Sequence, residues 1–292
     1  MLLSPAGAPD RRGPAFVVSA VTISVSLLVL VRVLARPAQA APGSHAPPIT
    51  AASADLAPPV PAPSPPASAT RAAAPLPPLS PQPVTVADEL GRPIGVYPPV
   101  DGKPGAAMVV FLHATCMDPR PVCDTFGAAG RDRSFLVCPS GNATCYGAPD
   151  WHGPPADKAA FLTRSLGKIE QQWGPYVSHD DTLIGWSRGG FAARDILYDD
   201  VARGAPPRFS SLVILAADVT PDPDKLRAAG IRKVLMAAGD QDGSRITLQR
   251  AVTKLVAAKI PARYVSLGPT GHWWPSDFEQ RIAAGLAWVR EK

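Results

Sequence analysis

Gly185-Trp186-Ser187-Arg188-Gly189 follows a short apolar run, Thr182 to Ile184, and leads into a helical pattern from Gly190 to Val201. Read as strand, tight turn and helix, the stretch sets a serine on a sharp corner. A serine that attacks a carbonyl needs such a corner, because the turn exposes its oxygen and aims the next backbone N–H at the developing oxyanion. The crowded backbone there tolerates only small residues two positions either side, and Gly185 and Gly189 meet that demand. An ordinary glycine–serine turn would read the same way, so the rest of the chain has to decide.

A nucleophilic serine needs a base, and the base needs an acid to orient it. Of the five histidines, His45 lies in a proline-rich stretch, and His113, His152 and His179 precede the serine. Only His272 follows it, in Gly271-His272-Trp273-Trp274-Pro275. Between serine and histidine, the apolar run Lys233 to Ala238 ends in Gly239-Asp240-Gln241-Asp242-Gly243. The order serine, acid, histidine is that of the α/β-hydrolase fold. Asp242, Asp240 and, after the preceding strand, Asp218 are the acids available.

Strands are expected at Met108 to Leu112, Ser134 to Cys138, Thr182 to Gly185, Ser211 to Ala216, Lys233 to Ala238 and Arg263 to Leu267. Their near-continuous apolar character suits a buried parallel sheet. Between them, Leu162, Leu166, Ile169 and Trp173 share a helical face, as do Leu248, Ala251, Val252, Leu255 and Val256. Phe278, Ile282, Leu286 and Val289 repeat the pattern in a last helix. Alternation of this kind predicts an α/β fold, a doubly wound and mostly parallel sheet covered on both faces. Ligands of such sheets sit beyond the carboxyl ends of the strands, where the serine, acid and histidine all fall.

On its serine elbow, its late-strand Gly-x-x-Asp and its terminal Gly-His, the chain from Met108 to Glu291 resembles the α/β-hydrolase superfamily. Within it, the resemblance is to small serine esterases of the dienelactone hydrolase and polyester depolymerase type. It implies Ser187 as nucleophile, His272 as base and Asp242 as acid, with Asp240 the main rival. It also implies a second oxyanion donor in the loop after Met108 to Leu112, where relatives carry His-Gly. This chain has His113-Ala114-Thr115-Cys116 instead. If the position requires positive φ, the alanine is strained there. The expected donors are the N–H groups of Arg188 and Thr115, and His113 is expected to pack or hydrogen-bond locally. Trp151, Trp273 and Trp274 are expected as walls of a substrate pocket, and no metal or organic cofactor is needed.

The front of the chain has a different character. Ala15 to Val31 is uncharged and flanked by Arg11, Arg12, Arg32 and Arg36, which suits an N-terminal signal anchor, a transmembrane helix, within residues 1–36. Ala38-Gln39-Ala40 would suit signal-peptide cleavage, but Arg32 and Arg36 interrupt the approach to it. Residues 37–83 hold 15 prolines and only two charges, Asp55 and Arg71, and read as an extended Pro/Ala-rich linker. The catalytic domain is expected over residues 84–292.

The first 36 residues carry four arginines against Asp10 and the linker nets zero, so the domain keeps only +2 of the formal +5. That balance gives no electrostatic footprint for nucleic acid. The four cysteines lack the CxxC spacing and histidine pair of a zinc site and are expected to form two disulfides. The two equal local spacings suggest Cys116 with Cys123 and Cys138 with Cys145. Disulfides imply an oxidising compartment, so the domain is expected outside the cytoplasmic membrane, anchored to it or secreted.

These readings converge on a carboxylic ester hydrolase working through an acyl-enzyme on a small-molecule or polymeric ester. A prolyl oligopeptidase-type peptidase and a non-catalytic envelope binding protein on the same fold are the alternatives.

Overall fold

The computed structural model describes Leu76 and residues 78–291. The expected membrane segment and most of the proline-rich linker lie outside the described residues. Among the described residues, no helix is long and apolar enough to cross a membrane.

The described residues form ten strands and seven α-helices. In chain order they are β1 (Val84–Ala87), β2 (Pro93–Tyr97), β3 (Ala107–Leu112), α1 (Arg120–Asp124), α2 (Gly127–Arg131), β4 (Ser134–Cys138), β5 (Ala143–Cys145), β6 (Ala148–Asp150) and α3 (Pro155–Trp173). There follow β7 (Asp181–Trp186), α4 (Arg188–Ala202), β8 (Phe209–Leu215), α5 (Pro223–Ala228), β9 (Lys233–Ala238), α6 (Arg245–Ala257), β10 (Ala262–Ser266) and α7 (Phe278–Arg290). Eight strands form one sheet in the order β1-β2-β4-β3-β7-β8-β9-β10, and β5 and β6 form a separate hairpin. The sheet is parallel from β4 to β10, while β1–β2 and β2–β4 pair antiparallel.

All six strands read from the sequence are present. β1 and β2 are additional. Their hairpin is closed by Asp88, whose Oδ1 accepts from the N–H groups of Leu90 and Arg92, each at 2.8 Å. The domain also reaches back into the expected linker, where Leu79 N–H donates to Gly102 O at 3.0 Å and the Leu79 side chain packs on the core.

The pleat of each central strand feeds two cores. Met108, Val110 and Leu112 of β3 join side chains of α3, α4, α5 and α6 on one face, while Val109 and Phe111 join α1 and α7 on the other. On α7, Phe278, Ile282, Leu286 and Val289 are all buried at the expected helical spacing. Burying each contributes about 1.5–3 kcal/mol before entropy is counted. The helices thus hold the sheet from both sides and leave the carboxyl ends of β3, β7, β9 and β10 to carry loops.

The disulfides connect differently from the local pairing expected. Cys116 is bonded to Cys145 and Cys123 to Cys138, with Cα separations of 5.3 Å and 6.6 Å. The reason is the strand order: β3 and β4 are neighbours, so the loop after one lies beside the end of the other. Cys123, on α1, turns into the core against Cys138 at the end of β4. Cys116 is left to meet the β5–β6 hairpin. Equal spacing in sequence was a poor guide because adjacent parallel strands place cysteines of different loops side by side.

Candidate active site

β7 is buried along its whole length and leads directly into Ser187, the residue immediately before α4. Ser187 has φ 52° and ψ −117°, a conformation that costs a non-glycine residue about 1–3 kcal/mol. Two hydrogen bonds hold it there: Ser187 N–H donates to Leu215 O and Gly190 N–H to Ser187 O, both at 2.9 Å. The flanking glycines are required by close backbone approach. A Cβ at Gly185 would collide with the Gly189 carbonyl, and one at Gly189 with that of Leu112 at the end of β3. The elbow therefore presses against the loop that begins at His113.

His272 and Asp242 complete a continuous hydrogen-bonded chain. His272 Nε2 lies 2.8 Å from Ser187 Oγ, and Nδ1 lies 2.8 Å from Asp242 Oδ2. The Asp242 side chain is 1% exposed while that of His272 is 56% exposed, so the carboxylate is screened from water and the imidazole is reachable. Burial raises the Asp242 carboxyl, but hydrogen bonds from the Ser244 hydroxyl and N–H and from His272 outweigh it. The result is a carboxyl below its ordinary range, charged and able to hold an imidazolium.

Asp240 Oδ1 accepts from Ser266 Oγ at 2.6 Å, and Asp218 is exposed in the loop after β8. Ser244 was not foreseen, although Asp242-Gly243-Ser244 before a helix is a recognisable Asx-turn pattern. Its N–H and Oγ each donate to Asp242 Oδ1 at 2.7 Å, occupying the oxygen that His272 leaves free.

Arg188 is the first residue of α4, so its N–H has no acceptor within the helix. Thr115 is exposed in the loop after β3. Positive φ falls not on Ala114 but on Cys116, at 52°, so the alanine at the position where relatives carry glycine is not strained. His113 is fully buried, with Nδ1 2.7 Å from Ala114 O. Burial lowers its pKa and holds it neutral, consistent with a packing role.

The three tryptophans expected as pocket walls separate. Trp151 is 1% exposed inside the core, its ring against His113 and Phe161. Trp274 is half-buried and fills the space between Trp186 and Phe278, with centroids at 4.5 Å and 4.1 Å. Trp273 is 61% exposed and meets Trp186 edge-on at 5.2 Å. Trp186, whose ring lies 6.3 Å from that of His272, is the aromatic that sequence reasoning missed. Cys116, Cys145 and Asp150 cluster closely, but both sulfurs are spent in the disulfide and offer no thiolate to a metal.

No protein-family profile matches the chain, and no curated protein matches its sequence. Solved structures do match. Esterase PE8 superposes with a TM-score of 0.53 at 20% identity, covering 70% of this chain and 100% of that one. Brefeldin A esterase, described as a bacterial homologue of human hormone sensitive lipase, gives 0.51 at 13% identity over 72% of this chain and 76% of that one. An esterase from the fungus Rhizomucor miehei gives 0.51 at 13% over 72% and 81%. At these identities the likeness is one of fold, and the fold is that of the α/β-hydrolases.

Proposed function

We propose that the chain is a serine hydrolase that cleaves carboxylic esters through an acyl-enzyme. The observation that carries the reading is the hydrogen-bonded chain from Ser187 Oγ through His272 to a buried, charge-holding Asp242. An envelope binding protein has no need of that chain, nor of a strained serine at its end. The esterases among the structural neighbours support the same class.

Ser187 Oγ attacks the ester carbonyl carbon while its proton passes to His272 Nε2. The carbonyl oxygen becomes an oxyanion, stabilised by the N–H groups of Arg188 and Thr115. As the tetrahedral centre collapses, the C–O bond to the alcohol breaks and the alcohol leaves with the proton from His272. Water then repeats the sequence on the acyl-Ser187 ester and releases the acid. Asp242 fixes the tautomer that leaves Nε2 free to accept, and steadies the imidazolium in both steps.

Two disulfides support export, since such bonds persist in oxidising compartments. The domain then works outside the cytoplasmic membrane, tethered through the proline-rich stretch or released. The test is hydrolysis of p-nitrophenyl acetate by purified wild-type and Ser187→Ala protein. The expected result is turnover that the substitution removes; equal turnover by both would overturn the assignment.

A further inference from the structure

The β5–β6 hairpin touches both sides of the expected oxyanion hole. On one side, Cys145 is bonded to Cys116, the residue after Thr115, and Met117 N–H donates to Pro149 O at 3.0 Å. On the other, the hairpin ends in Asp150, which is fully buried. Asp150 Oδ1 lies 3.4 Å from Arg188 Nε, and Oδ2 lies 2.8 Å from His152 Nε2. Arg188 NH2 is in turn 3.4 Å from the same His152 nitrogen. His152 is itself fixed, because its N–H donates to Asn142 Oδ1 at 3.1 Å and its carbonyl accepts from Asn142 Nδ2 at 2.6 Å.

A carboxylate with no exposure is costly unless it is paired, and the cationic side chain against Asp150 belongs to the residue that follows the nucleophile. Neither buried carboxylate oxygen of Asp150 has an aligned hydrogen bond, and Arg188 Nε is likewise buried without one, so the guanidinium 3.4 Å away is the fixed charge set against this carboxylate. We propose that Asp150 is a positioning residue for the oxyanion hole. It holds the Arg188 side chain and thereby fixes the first turn of α4, whose leading N–H faces the oxyanion. The disulfide of the same hairpin fixes the loop carrying Thr115, so one hairpin sets both donors. The proposal rests on the hydrolase reading above.

The test compares the full-length wild type with Asp150→Asn, Arg188→Gln and the double variant on p-nitrophenyl acetate. A displaced oxyanion donor is expected to lower kcat about tenfold or more, with KM within about twofold, because the missing interaction forms only in the transition state. Affinity for a trifluoromethyl ketone, which forms an oxyanion on Ser187, should fall in step. The double variant should be no slower than the slower single one, since both act through one contact. Wild-type kcat in Asp150→Asn, additive losses, or a loss of kcat with unchanged ketone affinity would overturn the proposal. Should Asp150→Asn fail to fold, Arg188→Gln decides, with the same loss expected and wild-type kcat contradicting it. A wild type that neither turns over nor reacts with a fluorophosphonate would remove the hydrolase reading, and this proposal with it.

Discussion

Gly239 and Thr270 approach so closely that a Cβ on the glycine would collide with the threonine's carbonyl oxygen. The contact joins the loop after β9, which carries Asp242, to the loop after β10, which carries His272. Gln241 N–H donates to Thr270 O at 3.0 Å and Asp240 N–H to Gly268 O at 2.8 Å, completing the seam. Backbone contacts thus hold the two loops together, beside the hydrogen bond between the Asp242 and His272 side chains themselves.

Gly239→Ala should part that seam. Esterase kcat is expected to fall about a hundredfold, because small misplacements of a catalytic group are that costly. The crystal structure of the variant should show His272 and Asp242 beyond hydrogen-bonding distance. Unchanged kcat would mean that the two loops are held by something else.

Asp242→Asn should cost far more activity than Asp240→Asn, since Asp240 is turned to Ser266. Loss of the acid's charge is expected to lower kcat by about 10⁴. Ser244→Ala should act in the same direction but more weakly, by letting the Asp242 carboxyl rise toward its ordinary range. A pH–rate profile of that variant checks this through an acid limb displaced upward.

Non-reducing peptide mapping by mass spectrometry should recover Cys116 joined to Cys145 and Cys123 joined to Cys138. Peptides joining Cys116 to Cys123 would contradict the arrangement, and with it the tie between hairpin and oxyanion loop.

Asp181 provides a pH test of the fold. Burial pushes its carboxyl up to about 6 against the opposing pull of the Met108 N–H and Arg208. The folded chain thus retains a proton that the unfolded chain releases near pH 4. Stability from this group is full below that range and is lost as pH rises through about 6. Asp181→Asn, whose amide oxygen still accepts from Met108 N–H, should flatten the fall of Tm between about pH 4 and 7. A slope identical to that of the wild type would show that Asp181 does not titrate there.

The central sheet was legible in the sequence because buried parallel strands are continuous apolar runs and their helices keep one apolar face. β1 and β2 escaped notice because Pro93 opens the second strand and β1 is an exposed edge. The serine elbow and the order of acid and histidine were legible as local motifs. Asp150, Trp186 and the disulfide partners were not, since each depends on which strands become neighbours. The burial of the tryptophans was not legible either: Trp151 and Trp273 each adjoin a histidine in the sequence and are opposite in burial.

An activated nucleophile at Ser187 reveals itself by covalent labelling. Wild-type protein and a His272→Ala variant would be treated with a fluorophosphonate at neutral pH, and the adducts mapped by tandem mass spectrometry. Stoichiometric phosphonylation of Ser187 is expected in the wild type, with a rate lower by about a thousandfold or more without the histidine. An unmodified Ser187, or labelling at the same rate in both proteins, would contradict that activation.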